Sequence, residues 1–95
     1  MALVLGHVEL RLVVRESYSL KDKRRVLRSL KDRLRNEFNV SVAEVDDQDD
    51  RQRATLALAM AGSDRRYVEG ALAKAVDLVR SHPVAELLDY EIVVD

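Results

Sequence analysis

From residue 3 to residue 14 apolar and polar positions alternate. Val8, Leu10, Leu12 and Val14 fall on one side, and His7, Glu9, Arg11 and Val13 on the other, the period of a strand with one buried face. From about Leu20 to Glu37 the period lengthens to that of a helix, with Leu20, Val26, Leu27, Leu30 and Leu34 gathered on one side. Ser19 stands at the N-cap position. Asp22, three residues on, occupies the place of the capping-box acid, although its side chain is shorter than the usual Glu. Asn39 closes this helix, and Val40 to Val45 reads as a second strand running into the polar segment Asp46 to Gln52. Residues 53–61 predict a third strand, in which Leu56, Leu58 and Met60 alternate with Thr55, Ala57 and Ala59, so that its non-core face carries only small side chains. Gly62 and Ser63 mark a turn, with Ser63 as N-cap of a second helix over about residues 64–81. Val68, Leu72, Ala75, Val76 and Val79 form its apolar stripe, and His82-Pro83 stops it. A last strand, about residues 86–94, directs Leu88, Tyr90, Ile92 and Val94 to the core.

The order βαββαβ reads as two βαβ-like halves joined at 46–52. It predicts a ferredoxin-like α+β sandwich: four antiparallel strands with both helices on one face. At 95 residues the chain fits one domain, residues 1–95. Hydrophobic residues at 47% and charged residues at 35% give it a packed core and a heavily charged surface, away from the disordered class. The absence of cysteine closes off disulfides, thiolate metal sites and thiol nucleophiles, and fits a reducing compartment. The opening apolar run has no basic leader and reaches Glu9 and Arg11 too early for a signal peptide or a membrane span. The expectation is a cytoplasmic protein.

Charge changes this bland picture. The net charge is −1, yet residues 19–38 hold eight of the sixteen lysines and arginines. Lys21, Arg24, Arg28, Lys31 and Arg35 recur at alternating three- and four-residue intervals. They therefore line up as a stripe about 21 Å long on the predicted helix. Like charges at that spacing cost about 0.2–0.5 kcal/mol per pair, and cations crowding a helix start oppose its macrodipole. A solvated outer face, common on small domains, is one reading of the row; local helix stability does not explain it, and an anion nearby is the other. That anion is either the acidic segment Asp46 to Asp50, of this chain or of a second copy, or phosphate. Asp22 is placed to pair with Arg25, and Asp32 with Arg28 or Arg35. Lys23 falls near the middle of the apolar side and is expected to snorkel past the sheet edge to a carboxylate.

Other chemistry is thin. The segment 46–52 lacks the glycine and the closing Glu of an EF-hand loop, and the two histidines, His7 and His82, belong to no metal spacing, so no metal site is expected. No nucleophile elbow, Gly-rich phosphate loop or nucleophile–base pair is visible, which points away from an enzyme and from any bound cofactor. The third strand has none of the stacking aromatics with which many ferredoxin-like sheets read single-stranded RNA. RNA, if bound, meets the helix stripe through backbone contacts that recognise shape. The alanine-lined face would equally suit another protein or a second copy. Tyr67, Ala71 and Leu78 form an apolar shoulder on the second helix, read first as core margin and second as a contact patch.

Two segments carry a wider resemblance. Glu16-Ser17-Tyr18-Ser19-Leu20-Lys21-Asp22-Lys23-Arg24 and Asn39-Val40-Ser41-Val42-Ala43-Glu44-Val45-Asp46, followed by Gln48-Asp49 and Gln52-Arg53-Ala54, resemble the bacterial YlxP-like family, a domain of unknown function. The similarity extends over essentially the whole chain, including Asp64-Arg65-Arg66. It implies a ferredoxin-like fold and brings no catalytic residues. Genes of this family commonly lie between those for a translation initiation factor and a ribosome-binding factor, which associates it with ribosomes or RNA processing. The chain departs from the family pattern at Asp47-Gln48-Asp49-Asp50-Arg51-Gln52, where many members resemble His-Gln-Asp-Leu-Trp-Gln, and at Tyr18, where His is frequent. A stacking or metal role for that loop in relatives does not carry over.

The sequence therefore predicts a non-enzymatic accessory protein of translation or ribosome assembly. It would bind structured RNA or a ribonucleoprotein surface through Lys21, Arg24, Arg28, Lys31 and Arg35, assisted by Lys23 and Arg25. The rival expectation is a homodimeric protein-interaction module in which those cations meet acidic residues. A weaker one is a small-molecule-sensing module.

Overall fold

The computed structural model describes residues 2–95. Six elements follow one another: β1 (Val4–Val14), α1 (Leu20–Glu37), β2 (Ser41–Asp46), β3 (Arg53–Gly62), α2 (Arg65–Arg80) and β4 (Ala85–Val94). The strands form one antiparallel sheet in the order β2-β3-β1-β4, and both helices cover the same face. This is the ferredoxin-like arrangement that the alternation of strand and helix periods predicts.

The pleat decides what each strand contributes. Val8, Leu10, Leu12 and Val14 of β1 and Leu56, Leu58 and Met60 of β3 point at the helices and are buried, whereas His7, Glu9 and Arg11 lie on the open face. Leu27, Leu30 and Leu34 of α1 and Val68, Leu72, Ala75, Val76 and Val79 of α2 close the same core. A fully buried aliphatic side chain contributes roughly 1.5–3 kcal/mol over an exposed one, so these two interdigitated rows account for most of what holds the sandwich together.

Three local details depart from the periodicity. The ladder between β1 and β4 shifts register after Arg11, which pairs with Asp89, because Leu12 pairs with Leu87. The extra residue, Leu88, is thrown outward and is 52% exposed, so Leu87 takes the core-side place that simple alternation assigns to Leu88. Asp64, not Ser63, caps α2, accepting from the Arg66 N–H at 3.1 Å. At the end of α1 the chain turns extended at Phe38, whose N–H still donates to Leu34 O at 2.9 Å, one residue ahead of Asn39.

Two glycines let α2 lie close on the sheet. A Cβ on Gly6 would stand 2.6 Å from a methyl of Val68 and 2.9 Å from one of Leu72, and a Cβ on Gly62 would stand 2.7 Å from the other Val68 methyl. Val68 is β-branched, inside a helix and fully buried, so it has little rotamer freedom with which to yield. Gly6→Ala is accordingly expected to lower stability by about 1–3 kcal/mol through overpacking, read as a lower urea midpoint with an unchanged slope. An unaltered midpoint would mean that α2 is free to ride up from the sheet.

Candidate functional site

The start of α1 is built by its own sequence. Ser19 Oγ accepts the Asp22 N–H at 3.1 Å, and the Asp22 carboxylate turns back to accept the Tyr18 N–H at 3.2 Å. Asp22 thus serves the capping box one residue further back than its usual target, and it forms no ion pair with Arg25. Asp32 reaches Arg35 at 3.9 Å and not Arg28.

Lys23 occupies the inside of this first turn. Its side chain is fully buried, and Nζ donates to Asp47 O at 2.8 Å and Arg53 O at 2.9 Å while standing 3.1 Å from the Glu44 carboxylate. The approach to Glu44 Oε2 is an ion contact off the line of a hydrogen bond, so that oxygen is left without a donor. Taking an ammonium out of water costs several kcal/mol, which two carbonyl dipoles and a carboxylate offset here. The expected snorkel to a carboxylate is present, but it runs inward. Lys23 is therefore withdrawn from any surface that meets phosphate.

The acidic segment folds around that ammonium. Asp47 adopts a left-handed backbone, φ 63°, which an Asp side chain tolerates and which aims its carbonyl at Lys23. Asp50 Oδ1 accepts the N–H groups of Gln52 at 2.8 Å and Arg53 at 2.7 Å, and these bonds hold its carboxyl below the ordinary carboxylate range. Gln52 then ties the loop to the β1–α1 connection. Its carbonyl accepts from the Val14 N–H at 2.8 Å, and its side-chain amide donates to Arg15 O at 2.9 Å. Ser17, also buried, donates its hydroxyl to Ser19 O at 3.0 Å. The acidic loop thus folds back on the helix start through its backbone, while its carboxylates make no ion pair with the α1 stripe. No cluster of metal-ligating side chains occurs among the described residues. His82 Nδ1 accepts the Val84 N–H at 3.2 Å in the α2–β4 turn, and His7 is exposed on the open sheet face.

The cations separate by environment. Lys21, Arg24, Arg25 and Arg28 are exposed and Lys31 is half-buried. Arg35 donates from Nη2 to Val42 O at 3.0 Å, which places the stripe on the flank of α1 that borders the edge strand β2. Arg25 lies off this row. Six of the eight cations on α1 make no ion pair among the described residues, Lys23 and Arg35 being the exceptions. Elsewhere cations meet acids: Arg11 with Asp89 at 2.9 Å, Arg15 with Glu86, Arg65 with Glu69 and Arg80 with Asp77. What the structure brings together of the seven expected contacts is therefore Lys21, Arg24, Arg28 and Lys31, bounded by an Arg35 already engaged. The part the sequence left unread is the clamp of Ser17, Gln52, Asp50 and Glu44 about Lys23.

These observations define a ferredoxin-like domain with a buried lysine clamp at one end and an unpaired basic flank on its first helix. Residues 5–92 match the family model described as Protein of unknown function (DUF503), and the chain belongs to that family. It is 34% identical over 83 residues, 87% of this chain and 90% of the relative, to the uncharacterized protein YlxP of Bacillus subtilis (strain 168). No helix among the described residues is long and apolar enough to cross a membrane.

Removing the clamp's cation leaves a carboxylate and two carbonyls facing an apolar gap. Lys23→Met is expected to cost about 3–5 kcal/mol in chemical denaturation. Adding Glu44→Leu to it is expected to recover a large part, since a matched apolar pair carries no stranded charge; a double variant no better than the single one would contradict this. Asp50 gives a separate pH signature. Its folded pKa lies below the ordinary 3.8, so the folded state holds on to fewer protons. Its stabilisation is present above that value and is lost as pH falls through the lower one. Asp50→Asn is expected to flatten the acid limb of the thermal-stability profile in that window while leaving the profile near neutral pH parallel to wild type.

Proposed function

We propose that this protein is a non-enzymatic accessory factor of the translation or ribosome-assembly machinery that binds structured RNA, bare or on a ribonucleoprotein surface, along the α1 flank. The observation that carries this reading is the row Lys21, Arg24, Arg28 and Lys31, which has no carboxylate partner among the described residues, although half of the lysines and arginines outside α1 are paired. The repulsion along the row is a standing cost that phosphate oxygens would relieve. A helix flank carrying long cations offers no aromatic platform, and the open sheet face has none either, so recognition rests on the shape of a folded backbone rather than on base edges. Lys23, buried, and Arg35, bonded to β2, act by fixing the helix, not by contacting the ligand. The genomic setting common in the family agrees with this reading.

Four neutralised phosphates predict a log-affinity slope against log salt of about −2.8 to −3.6. The protein is expected to migrate with ribosomal subunits or with a folded ribosomal RNA fragment at low salt and to be released at high salt. The Arg24→Glu, Arg28→Glu variant, altered only at exposed positions, is expected to remain in the free-protein fractions. Binding that survives this double reversal would remove the flank from the account. A wild-type mass near twice that of the monomer, together with no migration, would favour the homodimer.

A further inference from the structure

The outer edge of β4 is a second, separate surface on the opposite side of the sheet. The Asp95 N–H donates to Leu5 O at 2.9 Å, which makes the neighbouring pair Gly6–Val94 a non-hydrogen-bonded one. Antiparallel alternation then turns the N–H and C=O groups of Tyr90, Ile92 and Val94 away from β1, toward solvent. Of these groups one is covered: Arg65 Nη1 donates to Val94 O at 2.9 Å. The side chains of the same three residues point to the helix layer, yet α2 covers them only in part. Tyr90 stays 43% exposed under the Arg80 guanidinium, 5.6 Å from its ring centroid. A hollow lined by Arg65, Glu69, Ile92 and Val94 opens on one side of this stack, and another lined by Arg80, Pro83 and Leu87 on the other.

The opposite, open face of the edge is acidic. Glu91 stands directly across from Glu9 in the ladder, and neither forms an ion pair among the described residues. Like charges directly opposite each other destabilise a sheet; Arg11, the next residue on this face of β1, is already paired with Asp89, and no ion pair among the described residues reaches either glutamate. Self-pairing does not answer them either, because the antiparallel register centred on Tyr90, which uses residues 86–94, sets Glu91 against Asp89 twice.

We propose that the β4 edge accepts an extended segment of a partner protein as a fifth strand. Apolar side chains of that segment would enter the hollows beside Tyr90 and Ile92, and a lysine or arginine between them would meet Glu91 and Glu9. Free edge groups give such pairing its affinity, and the alternate side chains give it specificity. The assignment uses residues remote from the α1 flank and stands independently of the RNA reading.

The test uses the whole chain, isotope-labelled, titrated with a capped peptide of alternating valine and lysine about six residues long. The same peptide with glutamate for lysine is the control. Shifts and slowed amide exchange centred on Tyr90 to Val94 are expected with the lysine peptide and at least about tenfold weaker with the glutamate one. Glu91→Lys is expected to fold at least as stably as wild type, since it ends the repulsion with Glu9, and to lose the lysine peptide. No shifts with millimolar peptide, equal binding of both peptides, or shifts centred on β2 would overturn the proposal. So would Tyr90 and Ile92 amides already protected in a concentration-dependent way in the free protein, which would give the edge to a second copy.

Discussion

A single ammonium in the interior organises one end of this molecule. Lys23 Nζ holds Asp47 O, Arg53 O and the Glu44 carboxylate at once, so the first turn of α1, the end of β2 and the start of β3 cannot move independently. The geometry is demanding because a buried cation with an incomplete shell costs several kcal/mol. The surrounding residues serve that shell: Asp47 takes a left-handed backbone to present its carbonyl, Asp50 tightens the turn, and Gln52 ties it to the β1–α1 connection. Parts of the segments that carry the family resemblance, 16–24, 39–46 and 52–54, meet at this point. Ser17, Lys23, Glu44, Gln52 and Arg53 of those segments are thus accounted for as parts of a clamp.

The clamp has a consequence for charge. With Lys23 turned inward and Arg35 fastened to β2, the helix is fixed in rotation, and Lys21, Arg24, Arg28 and Lys31 are held on one flank. On the far side of the sheet Glu9 and Glu91 face each other, and neither forms an ion pair among the described residues. A net charge of −1 conceals this division into a basic edge and an acidic one. Each edge carries a repulsion that the folded chain does not relieve, and each strand edge has one carbonyl covered by an arginine, Val42 by Arg35 and Val94 by Arg65. Such covers discourage indiscriminate edge pairing, while the unrelieved charges point to partners of opposite sign.

Much of this was legible from periodicity. The bounds of α1, the order of the elements and the core rows of β1, β3 and α2 follow from spacing alone, because a buried face imposes its period on the sequence. Leu88 was misplaced because a bulge inserts a residue without any mark in composition, and the N-cap of α2 moved by one because Ser63 and Asp64 are both good caps. At the site, the helical spacing put Lys23 among the apolar residues, which is where it lies. Its carbonyl partners were illegible, since a backbone oxygen leaves no trace in residue type. The stripe was legible as a row but not as a flank: which side of α1 borders β2 depends on the crossover, and the Arg35 bond to Val42 reveals it.

The α1 flank is proposed above as the surface on which RNA lies. The most direct test is a residue-by-residue amide shift map of the labelled protein titrated with a folded ribosomal RNA hairpin at low salt. Changes are expected along Lys21 to Lys31 and the adjoining β2 edge, fading together as salt rises, with His7, Glu9 and the alanines of β3 unchanged. Changes centred on the open sheet face with α1 silent would contradict it.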